Sequence, residues 1–461
     1  MRAFEPEFAE MRFGCGLSPV IAPATSVEAM LAGISGPDAM ARRFPIERFD
    51  SFGARIAETN ALRRLIRANK GTPEAEAADR QRKDIKNQAR FDMIHWLGQS
   101  MLRRTYTEAG FHERLVYFWG DHFAARGKGG LLKSATSPYI EEAVRPFVGG
   151  RFADLLISAV THPVMLSFLD QDQSMGAGSK RVMTAGKGGG LNENLAREVL
   201  ELHTLGVGGP YTQTDVRELA ELFTGLSFKP LQGRVFRKNY VEPGAETVLG
   251  KTYADTLTIK PVHAVLEDLA IHPITARHLS WKLAVHFVSD TPDPALIDHV
   301  TARYIATGGD LMQVYAALLE HPAAWTREGA NIKPPVDFVG SAMRALAVDP
   351  VMMTEMTEKQ MRNVVLTPMA IMGQTWQAFS GPDGWPEEDD AWLTPQGLSG
   401  RVRWAMAGPQ KLCPDLPDPR AFVDTALGAS APEPVKFAAK AAESKAEAIG
   451  LVLMSPAFQR R

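Results

Sequence analysis

The sequence predicts an all-α protein: a single large irregular multi-helix domain with a small β-hairpin insertion near 226–253. Three observations predict it. Apolar residues recur with a helical period through most of the 461 residues. Proline recurs where one apolar helix ends and another begins, as in "SAVTHPVM", "LAIHPITA", "LLEHPAAW" and "LMSPAFQ". Only the stretch 226–253, "LSFKPLQGRVFRKNYVEPGAETVLGKTY", trades the helical period for short alternating runs between turn residues.

Taken in order, residues 54–98 form a charged helical region, broken in two by Gly71, Thr72 and Pro73. Its basic residues alternate with Glu74, Glu76, Asp79 and Asp84 and have no aromatic platform, which predicts a solvated face and no nucleic acid. Phe91, Ile94, Trp96, Leu97 and Met101 then thicken into a core-facing stripe. Residues 107–123 read as an amphipathic helix with Tyr117, Phe118, Trp119 and Phe123. Ser137 is expected to cap the next helix, with Pro138 at its first position. At the His-Pro junctions proline costs nothing in a first turn and pushes the preceding residue out of the helical region. His162, His272 and His321 are therefore expected to cap or pack there and not to bind metal.

A signature helical hairpin is expected over 190–228. Gly206, Gly208 and Gly209 end its first helix. Thr212 and Asp215 start the second as a capping-box variant, and Leu219, Leu222, Phe223 and Leu226 form its buried stripe. A Trp/Pro/Gly-rich loop follows near "SGPDGWPEEDDAWL", and a terminal helix is expected over 435–454.

Bulk properties exclude several functions. A formal net charge of -2 gives no electrostatic reason for a nucleic-acid or anionic-membrane partner. Cys15 and Cys413 are neither a disulfide framework nor a zinc site. The start "MRAFEPEFAEMRFGCGL" has no basic region followed by an apolar run, and no stretch approaches the about 18 apolar residues of a spanning helix. A cytoplasmic location is the expectation.

Several segments match a pattern: "RFGCGLSP", "ERLVYFWGDHF", "THPVMLSFLDQDQSMG", "GLNENLAREVLELHTLGVGGPYTQTDVRELAELFTGLSF", "HPITARHLSWKLAVHFVSDTPDP" and "GPDGWPEEDDAWL". Their content and order closely resemble a bacterial family called domain of unknown function 1800. The resemblance covers residues 8–461, which implies one family domain. It implies no defined activity. Its implied partner is a sulfatase-like protein of the family numbered 1501. Two departures stand out. Where relatives read Phe-Trp-His-x-His-Phe, this chain has Gly120 and keeps only His122; where they carry His-x-x-Gly-x-Lys, it has Val241, Gly244 and Glu246.

Candidate chemistry centres on "NENLAREVLELHTLGV". At about 100° per residue, Asn194, Arg197, Glu198 and Glu201 share one arc, while His203 falls in the middle of the opposite apolar arc. One reading is a core helix with a buried, hydrogen-bonded His203 and a polar stripe in which Arg197 and Glu201 pair. The other is a cleft in which Arg197 clamps an anion or lowers the pKa of Glu198 and Asn194 orients a ligand. The first is the preferred reading, and the crowding of Asn192, Glu193 and Asn194 speaks for the second. The preceding "SMGAGSKRVMTAGKGGG", with Lys180, Arg181 and Lys187, lacks P-loop spacing and reads as a mobile surface loop or lid. Asp170 and Asp172 lack the rest of a calcium loop and are expected as an Asx-type helix terminus. No nucleophile elbow or triad is visible, and no cofactor is implied. Two function classes follow. The first, and the favoured one, is a helical scaffold or accessory protein working with a partner. The alternative is a hydrolase or metal-assisted enzyme with a polar cleft around Asn194, Arg197 and Glu198, joined by Glu201, His203, His122 or Asp170.

Overall fold

The computed structural model describes residues 4–185, 190–327 and 329–461. Helices dominate, and local chemistry starts them where the sequence indicates. His162, His272 and His321 each accept, through Nδ1, the backbone N–H two residues on, at 3.2, 3.2 and 3.3 Å. The intervening proline has no N–H to offer, so the ring caps the next free donor. Thr212 and Asp215 form a reciprocal capping box. Thr72 caps the helix Pro73–Tyr106, which packs antiparallel against Phe49–Ala68. The basic residues of this pair are tied locally, Arg82 and Lys83 to Asp79, and Arg55 to Glu47 and Asp92.

Three expectations need correction, and the β insertion, which lies where expected, is finer than one hairpin. The helix after residue 135 begins at Thr136 with Ala135 as its cap, because the Ser137 hydroxyl is engaged by Gln377 and is not available to cap. Phe91 is exposed. The terminal helix is two, Glu433–Ala441 and Lys445–Met454, because Ser444 turns extended and accepts from the N–H of Glu447. The insertion is two separate hairpins. β1 (Leu226–Lys229) pairs with β2 (Gly233–Phe236), and β3 (Glu246–Val248) with β4 (Lys251–Tyr253). A 3-10 turn at Lys238–Tyr240 and Pro243 divide them. The first hairpin seats its tip on Gly53, where a Cβ would lie 2.1 Å from the Pro230 carbonyl oxygen.

Apolar side chains gather in two cores. One is built from residues between Ala9 and Ala324. The other joins Phe44 and the end of Pro73–Tyr106 to the helices from Val336 onward. The helix Pro73–Tyr106 serves both, giving Ala89 and Trp96 to the first and Ile94, Leu97 and Met101 to the second.

Buried charge lies between the cores. Asp337, on helix Pro335–Ala345, pairs with Arg104, Arg461 and, at 3.5 Å, Arg114. Burial alone would raise its carboxyl, but the three guanidinium groups overcome that and hold it far below the usual range. Arg344 donates to the carbonyls of Arg104, Thr105 and Thr107, closing the end of the long helix. Cys15 is buried nearby and its thiol is pushed up to about 11 by burial, as expected of an inert thiol.

Replacing Asp337 with Ala strands three buried cations, so the loss should be about 3–5 kcal/mol, read by urea unfolding at pH 7. The folded carboxyl is depressed, so its contribution is full above the unfolded pKa of about 3.9 and fades only as the pH falls well below that. An Asp337→Ala protein as stable as the parent at pH 7 would show that the three arginines do not depend on it.

Candidate functional site

The predicted stripe lies at the surface, and its arginine is satisfied there. Arg197 donates to Glu201 at 3.3 Å, to Glu193 at 3.4 Å and to Gln213 at 2.9 Å. Asn194 is exposed. The crowding before the helix has a structural use. Asn192 accepts the N–H of Asn194 and donates to the Leu169 carbonyl, while Glu193 accepts from Gln213 and so ties the two signature helices together. Glu198 is partly buried and has no hydrogen bond among the described residues. Burial, then Glu201 and Asp383, push its carboxyl up to about 6 against the pull of Arg197.

His203 departs from the helical wheel. The α-helix Asn194–Glu198 runs into a π turn, Val199–Thr204, and the Leu205 N–H reaches back to Leu200. The ring is fully buried, as the apolar arc predicts, but neither of its nitrogens has a described partner, contrary to the expected hydrogen bond. Burial, with Lys282, holds its pKa down to about 3. His122 donates Nε2–H to the His203 carbonyl at 3.3 Å, and the two ring centroids are 5.9 Å apart. Asp170 ends its helix in the left-handed region, φ 55°, and pairs with Lys128 at 2.5 Å. In the glycine-rich loop, the Gly178 N–H already holds a carboxylate, that of Glu242. Gly186–Gly189, with Lys187, lie outside the described residues. Among the described residues no group of three or more His, Cys, Asp or Glu could hold a metal ion.

A different site emerges where the two cores meet. The long helix Pro73–Tyr106, the helix Gly110–His122, residues 136–145 and the irregular segment 373–388 enclose a cleft of about 800 Å³, open mouth included. Its floor carries paired charges. Arg103 grips Glu141 through two hydrogen bonds of 2.5 and 3.1 Å, and Arg145 grips Glu113 through two of 3.0 and 2.5 Å. Arg104 is held by Asp337.

The roof, 373–388, brings Trp376, Phe379 and Trp385 over the cleft. Specific bonds hold it down. Gln374 accepts from the Val336 N–H and donates to the Tyr117 hydroxyl at 2.7 Å. Gln377 and Ser137 exchange hydrogen bonds of 2.8 and 3.0 Å, with Gln377 held at φ 51°. Asp121 accepts the Trp385 N–H at 3.1 Å, and the chain can approach because Gly384 has no side chain. A Cβ there would sit 2.7 Å from the Asp121 carboxylate.

Asp121 is the chemically distinctive group. It lies on the cleft wall, and burial and the Glu387 charge push its carboxyl well above the usual range. Burial opposes ionisation of Glu387 too, yet His286, bonded to it at 2.8 Å, together with Arg461 and Lys282, holds that carboxyl below its ordinary value. Burial depresses Lys282, near both acids and Asp383. Asp383 also links this cluster to Glu198 through space.

A family model described as "Protein of unknown function (DUF1800)" matches residues 12–460. The chain belongs to this family. No curated protein and no solved structure matches it. Both positions at which the resemblance implies a departure fall on clefts. Gly120 lines the central one, and Val241, Gly244 and Glu246 line a smaller one beside the hairpins, where burial pushes Glu246 up to about 7. Sequence reasoning missed Asp121, Glu387, Lys282 and the arginine–carboxylate pairs. The available signal was the aromatic, proline-rich segment before residue 393, too long and too apolar for a simple connection.

Glu198 offers a direct check on its surroundings. Its folded pKa is raised, so the charged form costs stability above the unfolded value of about 4.3, fully so above about 6, and nothing well below 4. Glu198→Gln should therefore raise Tm at pH 8 and leave it unchanged at pH 3.5. Solvent screening of this half-exposed group limits the gain to less than about 1 kcal/mol. An equal change at both pH values would mean ionisation is not the cause.

Proposed function

We propose that the protein is an enzyme of the hydrolase class whose working site is the cleft between its two cores, with Asp121 as the proton donor. The observation that supports this is the placement of Asp121 on the wall of that cleft near Lys282 and Glu387, the latter bonded to His286. Two carboxyls whose environments drive their proton affinities apart make an acid and an anion available at the same pH. The aromatic roof and the apolar walls exclude water, which strengthens both effects. Glu198 and Asp383 extend the polar edge toward the signature helix, while Arg197 and Asn194 stay with the surface stripe.

A second reading, an accessory protein working with a partner such as the sulfatase-like protein, draws support from exposed apolar side chains. Val207, Ile274 and Trp281 are exposed, and Trp281 stacks with His278, against which Gly206 packs. Co-purification lost in Trp281→Ser would support it.

The enzyme reading is tested on the full chain with chromogenic ester, amide, phosphate and glycoside substrates. Asp121→Asn should lower turnover by about 10²-fold or more, with an unchanged circular dichroism spectrum. Wild-type activity that survives Asp121→Asn, or no activity on any of the four classes, defeats it.

A further inference from the structure

We propose that the central cleft takes an uncharged, largely apolar ligand that presents a carbonyl oxygen, as an ester, ketone or amide does, to the Tyr117 phenol and the Trp376 indole. This rests on the reading of the cleft as the working site. The argument is one of hydrogen-bonding capacity. Each guanidinium lining the cleft is already bound to a carboxylate: Arg103 to Glu141, Arg104 to Asp337, Arg145 to Glu113 and Asp38. An anionic ligand would have to break one of these buried pairs, and a cationic ligand would need a carboxylate that is not already engaged.

Glu113 and Glu141 are both committed to arginine, and burial and the Glu387 charge oppose ionisation of Asp121, whose carboxylate already accepts the Trp385 N–H. What remains unused is donor capacity. The Tyr117 hydroxyl accepts from Gln374 but has no described acceptor for its own hydrogen. The Trp376 N–H is buried with no described partner. An unmet donor in such a place favours a ligand that brings an acceptor. Around these donors stand Met101, Val116, Ile140, Val336 and Phe379, a surface for the hydrocarbon part of the ligand.

The test titrates the full chain with methyl benzoate, benzoate, benzylamine and toluene by ligand-observed NMR. Methyl benzoate should bind, with benzoate and benzylammonium at least about tenfold weaker. Trp376→Phe, and independently Tyr117→Phe, should weaken the ester about threefold to tenfold and leave toluene unaffected. Gly120→Leu, whose Cβ meets Ile140 Cδ1 at 3.3 Å, should abolish binding of both by filling the cleft. If benzoate or benzylammonium matches the ester, or if both Phe variants leave the ester unaffected or weaken it and toluene alike, the ligand class is wrong. Toluene binding lost in Gly120→Leu would then still uphold the cleft. If neither toluene nor the ester binds, or if binding survives Gly120→Leu, the cleft reading falls with it.

Discussion

Asp337 and its three arginines hold the molecule's two halves in one register. The carboxylate sits on a helix of the second core, and its partners come from the long shared helix, from the aromatic helix Gly110–His122 and from Arg461. Two apolar cores alone could slide or rock against each other, because hydrophobic burial has no preferred direction. A buried ion with defined partners does have one. Losing any partner leaves an uncompensated charge in a low dielectric, so the arrangement specifies geometry even where its net contribution to stability is small. Arg104 and Tyr117, both on elements fixed by this cluster, are also walls of the cleft.

What could be read from the sequence was what neighbours in the chain decide. A His-Pro pair caps a helix within two residues, and a Thr-x-x-Asp box closes within three, so both were foreseeable. Phe91 was misplaced because a helix that feeds two cores has no single apolar face; its stripe turns from one to the other within a few residues. The split at Ser444 was missed for the opposite reason. Alanine, lysine and glutamate on both sides favour helix, and only the extended backbone there reveals that Ser444 restarts it.

The charged partners of the cleft have no local signature. Arg103 meets Glu141 across 38 positions, Ser137 meets Gln377 across 240, and Arg104 meets Asp337 across 233. The signature helix drew attention because its charges are close in sequence, but closeness in sequence is what lets Glu193, Arg197 and Glu201 neutralise one another one turn apart. Charges that find partners within their own helix have little left for a ligand. Asp121 shows the reverse: its neighbours in the chain offer it nothing, and its environment comes from Glu387, Lys282 and Trp385.

The last turn of the aromatic helix explains how one element serves both a core and a site. Successive helical residues point about 100° apart, so Asp121 and His122 do not share an environment. His122 takes the apolar side, against Phe118, Trp119 and Phe123, and stays neutral there. Asp121 is left facing the cleft and the roof, and Gly120 lies beside Ile140 with no side chain of its own. An imidazole at position 120, which the resemblance implies for relatives, would stand in the cleft next to Asp121. Glycine leaves that space open without disturbing the core, so the cleft is wider beside Asp121 and the packing around His122 stays intact.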